Sequence, residues 1–476
     1  MSDYLGASRP RWQRWLPMGL LGALLLLGAS IYQGYGLTWD EPSNHYNGAV
    51  NLNYAVEFLL PKAVVARLTP AGMPLHPKST WPGFDHGVAF ELPAAALGRV
   101  LYPGDPPGYY RLRHLLVFFV FAGGLVVVYR LARLRYPTAR WLPLLAAGAL
   151  VLSPRFFAEA FYNGKDISFM VTFALGMLTL VRLAQRPTLR RALVHAVATA
   201  IAADVRLTGL VLLVAFTAAA MVLQAGAPGA VPTLPRRRLG LLVLYAVLAA
   251  VLTVVGWPYL WADPGTRLLY VMGRTGHFPW PGLVLYAGRF VAANALPWHY
   301  LPVWMLITIP LPYSLLLGLG LGTALRTLVR RGQAALRRPG AWLDALFLAW
   351  LVVPIGAIIA TQAVIYDGWR HVYFVYPAVL LLALRGARAL GQAWQRGASQ
   401  RPALRVLAGT ALALLVLETG RTAWFIVRAY PNQQMYFSFL PAPAAERLFE
   451  RDYWGGSTYH GLEWLLRHDA SRTITV

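Results

Sequence analysis

The chain has 476 residues, 57% hydrophobic and only 13% charged, with a mean hydropathy of +0.49, a composition that no water-soluble fold of this length tolerates on its surface and that marks a membrane protein. It contains no cysteine, which excludes disulfides, thiolate metal ligands and thiol nucleophiles. The formal net charge of +24 is carried by arginines in short connections between apolar runs rather than along one face, which marks topology signals and argues against a nucleic-acid partner.

In chain order, the basic "RPRWQRW" introduces the first apolar run, which reads as an uncleaved helix because so many spans follow. The apolar pattern predicts about eleven transmembrane helices, at 16–37, 114–132, 141–153, 167–183, 192–204, 207–224, 239–256, 300–325, 342–360, 372–387 and 404–421. The third and fifth are short, as expected either of helices that tilt or bury polar ends beside a cavity, or of a miscounted pair. Arginines crowd "RPRWQR", "RLARLRYPTAR", "RLAQRPTLRR", "PRRRL", "RTLVRRGQAALRRP" and "RGARALGQAWQRGASQRPALR", while the alternate connections hold nearly all the acids. The positive-inside rule then places the N-terminus in the cytoplasm and the C-terminus outside, as in a multi-pass protein of a bacterial inner membrane.

The expected fold class is all-α integral membrane. One membrane domain covers 1–421, with long external loops at 38–113 and 257–299, and a short external tail covers 422–476. In the first loop, "HYNGAVNLNYAVEFLLPKAVVARL" places Val50, Tyr54, Phe58 and Leu59 as in a helix lying in the interface. Proline and glycine then mark "TPAGMPLHPKSTWPGFDHG" and "LYPGDPPGYYR" as loop.

Where the first span ends stands "GLTWDEPSNHY", with Asp40 and Glu41 side by side. Asp40 suits the N-cap of the interfacial helix, with Pro42 in its first turn; alternatively, Thr38 and Glu41 have capping-box spacing. Capping needs one carboxylate and here are two, so an acid at the membrane edge is also a candidate for function. "SPRFFAEAFYNGKDISF" brings Glu159, Lys165 and Asp166 into the next external connection, where Asp166 either couples with Asp40 or merely solvates a helix start. Arg206 in "ADVRLTG" and Arg370 in "YDGWRHVYFVYP" lie on the acidic side against the charge rule. Each has a nearby acid, Asp204 and Asp367, so ion pairing and phosphate binding both remain open. Histidines 45, 76, 86, 277, 299 and 371 share that side, but none shows metal-binding helix spacing, so a divalent metal is not indicated, while a cation site built from loops stays open.

An Asp-Glu pair after span one, a long first external loop and an external C-terminus resemble the GT-C membrane glycosyltransferases. The nearest kinds are protein O-mannosyltransferases, lipid A aminoarabinose transferases and their bacterial relatives. The motifs that carry the likeness are "TWDEPSNHY", "YNGKDISF", "GWRHVYFVYP" and "FERDYWGGSTYHGLEWL". The resemblance implies an inverting transfer of a hexose or pentose from a polyprenyl-phosphate donor to a hydroxyl on a glycan, lipid or protein acceptor. Asp40 would be the base, Glu41 the adjacent acid and Asp166 a second acid; Lys78, Arg206, Arg370, His371 and Lys165 would meet the donor phosphate. No soluble domain is inserted between spans, and the tail is shorter than that of the lipid A enzymes, which leaves the acceptor open. A transporter and an envelope oligosaccharide polymerase or ligase are the rivals. A transporter would place its acids deep within spans and show paired halves, neither of which is seen here.

Overall fold

The computed structural model describes residues 12–68, 86–225, 234–276, 278, 280–469 and 471. α1 (Trp12–Ile31) is an apolar rod that protein barely covers. α2 (Asp40–Leu59) starts at the paired acids, and α3 (Lys62–Leu68) and α4 (Glu91–Leu101) follow it in the first loop. The stripe expected on α2 is divided: Val50 is buried, while Phe58 and Leu59 are exposed.

α5 (Pro106–Arg135) begins earlier than hydropathy suggests. Asp105 accepts from the Gly108 amide at 3.1 Å, and Pro106 and Pro107 fill a first turn that needs no N–H donors, so the expected loop at 101–111 is half helix. α6 (Leu142–Val151) fills the span expected at 141–153, and α7 (Pro154–Tyr162), in a stretch expected as external connection, follows it across a 66° bend. At the bend Ser153 donates to the Ala149 carbonyl at 2.6 Å and lies 2.6 Å from the Tyr376 hydroxyl, while Pro154 opens the next helix.

α8 (Gly164–Gln185) is a full span, but α9 (Leu189–Ala203) and α10 (Thr208–Leu223) have 15 and 16 residues. At 1.5 Å per residue these reach roughly 22–24 Å, less than the ~30 Å hydrocarbon layer. α11 (Arg236–Gly256) is again long, followed by α12 (Pro264–Gly276) and a small antiparallel hairpin, β1 (Leu283–Tyr286) and β2 (Arg289–Ala292), with Leu283 opposite Ala292. The span expected at 300–325 is interrupted at Pro310 into α13 (Tyr300–Thr308) and α14 (Leu311–Arg331). α15 (Gln333–Leu336), α16 (Pro339–Thr361), α17 (Tyr376–Gln400), α18 (Pro402–Arg428), α19 (Ala442–Leu448) and α20 (Thr458–His468) complete the chain. Among the described residues eight helices are long and apolar enough to cross a membrane, or nine if the bent pair counts as one span. The difference from eleven is α9 and α10, which are helical where spans were expected but short.

The core lies where α5, α7, α8 and α17 meet. Phe156 stacks on Tyr376 at 4.1 Å, and Phe169 and Phe173 pack on Phe374 at 4.9 and 4.8 Å. α14 and α17 cross at glycine: a Cβ on Gly320 would come within 2.1 Å of the Leu382 carbonyl, and one on Gly386 within 2.0 Å of the Leu316 carbonyl. Backbones this close need small residues on both faces.

Candidate functional site

The two neighbouring acids at the start of α2 face different surroundings. Glu41 is 1% exposed, and its Oε2 accepts from the Thr38 amide at 2.9 Å and the Thr38 hydroxyl at 3.1 Å. Its Oε1 lies 3.1 Å from His114 Nε2 and 3.9 Å from the fully buried Arg113, which also holds Glu91. Only the reach-back half of the expected Thr38–Glu41 capping box forms: Glu41 accepts from the Thr38 amide, but Trp39 is the N-cap of α2, no side chain caps its first amides, and Asp40 is the first helical residue rather than the cap. Asp40, with its side chain 41% exposed, instead receives Arg370 Nη1 at 3.0 Å.

Arg370 is delivered by the turn in "YDGWRH". Asp367 and Gly368 have φ of +56° and +70°, the left-handed region that an Asp-Gly pair tolerates. The Gly368 amide donates to the Tyr300 hydroxyl at 3.1 Å and the Trp369 indole to Thr308 at 2.8 Å, which locks the turn against α13. Arg370 is 5% exposed and reaches three carboxylates: Asp40, Asp367 at 2.9 Å and Asp166 at 3.7 Å. Its guanidinium lies over Tyr366 at 5.0 Å and Trp454 at 4.7 Å. Burial pushes the Asp367 carboxyl up to about 6, Arg370 opposing the rise and the Asp40 and Asp166 charges adding to it.

Asp166 is buried in the first turn of α8, where Asn163 caps its amide at 2.9 Å. Arg206 binds its Oδ1. Arg206 therefore pairs with Asp166 on another helix rather than with Asp204, the neighbour in sequence. The Asp204 carbonyl accepts the Ala89 amide at 2.9 Å, and its carboxyl packs against Gly256. From Asp166 a buried chain continues through Asn163 to Glu159, which accepts from Asn163 at 2.7 Å and from the hydroxyls of Tyr373 at 2.8 Å and Tyr453 at 3.1 Å.

The site thus gathers Asp40, Asp166, Arg206 and Arg370, with Lys165 and His371 in electrostatic reach of them. Glu41 lies on the other side of the helix start, and Lys78 lies outside the described residues. His86 belongs to the same group; burial first, and then the charges of Lys165, Arg206 and Arg370, hold its imidazole well below the ordinary range. Arg206 Nε, Arg370 Nε and His371 Nδ1 are buried and have no hydrogen-bond partner among the described residues. The two guanidinium N–H groups left without partners beside paired carboxylates fit an anionic ligand. Among the described residues no three His, Asp or Glu converge on a metal position. Sequence reasoning passed over Tyr366, Tyr453, Trp454 and Asn163; the tail motif that contains "DYWGG" was the available signal for two of them.

No family model matches the chain, and no curated protein does. Among solved structures, ArnT from Cupriavidus metallidurans in the apo state aligns with a TM-score of 0.50 and 14% identity, over 87% of this chain and 70% of that one. The chain has the ArnT fold. A second ArnT structure from the same organism, bound to undecaprenyl phosphate, aligns with a TM-score of 0.49 and 13% identity, over 88% of this chain and 74% of the other. At such identity the likeness describes the backbone path, which agrees with the GT-C-like architecture expected from the sequence.

Proposed function

We propose that this protein is an inverting glycosyltransferase that moves a sugar from a polyprenyl-phosphate donor to an acceptor hydroxyl at the membrane face that carries Asp40. The single observation behind the reading is the Asp40–Arg370 pair: a half-exposed carboxylate, 3.0 Å from a buried guanidinium whose Nε has no hydrogen-bond partner among the described residues. Such a transfer needs a base for the acceptor and positive charge for the departing phosphate, held in fixed relation. Asp40 takes the acceptor proton as the acceptor oxygen attacks the anomeric carbon. The bond from that carbon to the phosphate oxygen breaks, and its electron pair leaves with the phosphate toward Arg370 and Arg206. Attack on the face opposite the phosphate inverts the anomeric centre. Asp166 is the positioning residue in this scheme, since it is fully buried and holds both arginines.

The test is transfer from a radiolabelled polyprenyl-phosphate sugar by reconstituted protein. Asp40→Asn is expected to lose at least about a hundredfold in kcat, the scale of a missing general base, while its melting temperature stays near that of the wild type. Unchanged transfer in that variant would reject the mechanism.

A further inference from the structure

A cationic cavity lies away from Asp40, between α18 and the tail. It has a volume of about 510 Å³ and is formed between the last turns of α18 and the chain from 429 to 451. Arg421, Phe425 and Arg428 line it from one face of α18, at the four- and three-residue spacing of a helix, and Tyr430, Tyr436 and Arg451 close it from the other side. We propose that it holds the phosphate headgroup of an anionic bilayer lipid.

The charge balance supports an anion. Arg421 is matched by Glu418 and donates to the Ser438 carbonyl at 2.8 Å. Arg451 has only a loose partner, Glu446 at 3.6 Å, whose side chain is 73% exposed, and Arg451 Nε is buried without a hydrogen-bond acceptor among the described residues. Among those residues Arg428 has no carboxylate within ion-pair distance. Three guanidiniums thus face two carboxylates, which leaves one positive charge for one phosphodiester.

The surroundings favour a lipid as its source. Only 6% of the apolar window of α18 is buried by protein, and Trp424 and Val427 stand exposed beside the cavity. The Tyr430 hydroxyl donates to the carbonyl of Ile31, the last residue of α1, so the cavity lies level with the end of a lipid-facing helix. That is the depth at which headgroups sit and aromatic side chains collect. The acyl chains would then run down the exposed face of α18 while the phosphate meets the arginines.

The experiment takes the full chain from bilayers of mixed phosphatidylglycerol and phosphatidylcholine into mild detergent and weighs the intact complexes. The wild type is expected to retain one phosphatidylglycerol per chain in preference to phosphatidylcholine. The R428Q/R451Q double variant should bind it at least about tenfold more weakly, and R428K/R451K should recover part of the loss. Equal retention of the two lipids by the wild type overturns the proposal and needs no variant to fold. Unchanged retention in a folded R428Q/R451Q protein overturns it as well. Binding of inorganic phosphate at millimolar concentration, with no phosphatidylglycerol retained in its absence, would assign the cavity to a soluble phosphate and reject the lipid.

Discussion

Asp40 and Glu41 are adjacent in the chain, yet one carboxylate is half open and the other is sealed among Thr38, His114 and Arg113. Their substitution should therefore separate activity from stability. Glu41→Gln alters a buried carboxylate that accepts from the Thr38 amide and hydroxyl and lies 3.1 Å from His114, while Arg113 keeps Glu91; weakening a buried hydrogen-bond set of this kind costs about 1–3 kcal/mol, and a clear fall in melting temperature is expected. Asp40→Asn should leave the melting curve almost unmoved, because a half-exposed pair contributes little. A Glu41→Gln protein that melts like the wild type would contradict the geometry. Asp367 adds a pH signature. Its carboxyl keeps a proton up to about pH 6 in the folded protein, whereas the free side chain has lost it above its ordinary value of 3.8. The folded state then binds more protons across that window, so stability falls as pH rises through it. Glu450, pushed up to about 7 by burial and then by Asp367, acts in the same direction. Thermal melting from about pH 5 to about pH 7 should fall more steeply in the wild type than in Asp367→Asn; equal slopes would reject the assignment. At this scale the sequence shows which side chains carry charge but not which partner each meets. Arg206 lies two residues from Asp204 and yet binds Asp166, because the turn after α9 aims it at α8.

For whole elements, hydropathy located the long apolar helices but not α4, α7, α12, α15, α19 and α20, which lie in stretches expected as loop, connection or tail, and it misplaced the breaks. The Asp105 cap and its two prolines were legible as helix-start chemistry, but the same letters also read as a loop. The expected span ends at 153, where the bend lies, but the polar residues that follow read as an external connection rather than as the helix α7; the bend turns Arg155 and Glu159 into the interior. α4 has a helix pattern of only 11 residues inside a long loop and was missed for its shortness. The crossing of α14 and α17 gives a direct prediction. Gly386→Val adds a side chain where even a Cβ would stand 2.0 Å from the Leu316 carbonyl, so the helices must part. Overpacking of this kind typically costs about 1–3 kcal/mol, and the variant should melt several degrees lower, whereas Gly391→Val on the same helix meets no atom within 4 Å and should not. Similar melting of the two would show that the helices do not touch there.

Taken as one molecule, the protein builds its site from segments remote in sequence. Arg370 reaches back 330 residues to Asp40, and the Trp39 amide donates to the Trp454 carbonyl at 3.2 Å. Trp454 covers the guanidinium of Arg370 as Tyr453 enters the Glu159 network. Trp454→Ala should raise the donor KM about tenfold, the scale of a desolvated cation–π contact, with a smaller effect on kcat. A KM that does not move would remove the tail from the donor site. The order of synthesis gives this arrangement a further meaning. Asp40 leaves the ribosome first, its cationic partner follows after on the order of tens of seconds at ~5–20 residues per second, and the indole comes later still. A nascent chain already threaded into the bilayer therefore holds Asp40 without its partner, and under the proposed mechanism transfer begins only when translation has passed the last wall of the site.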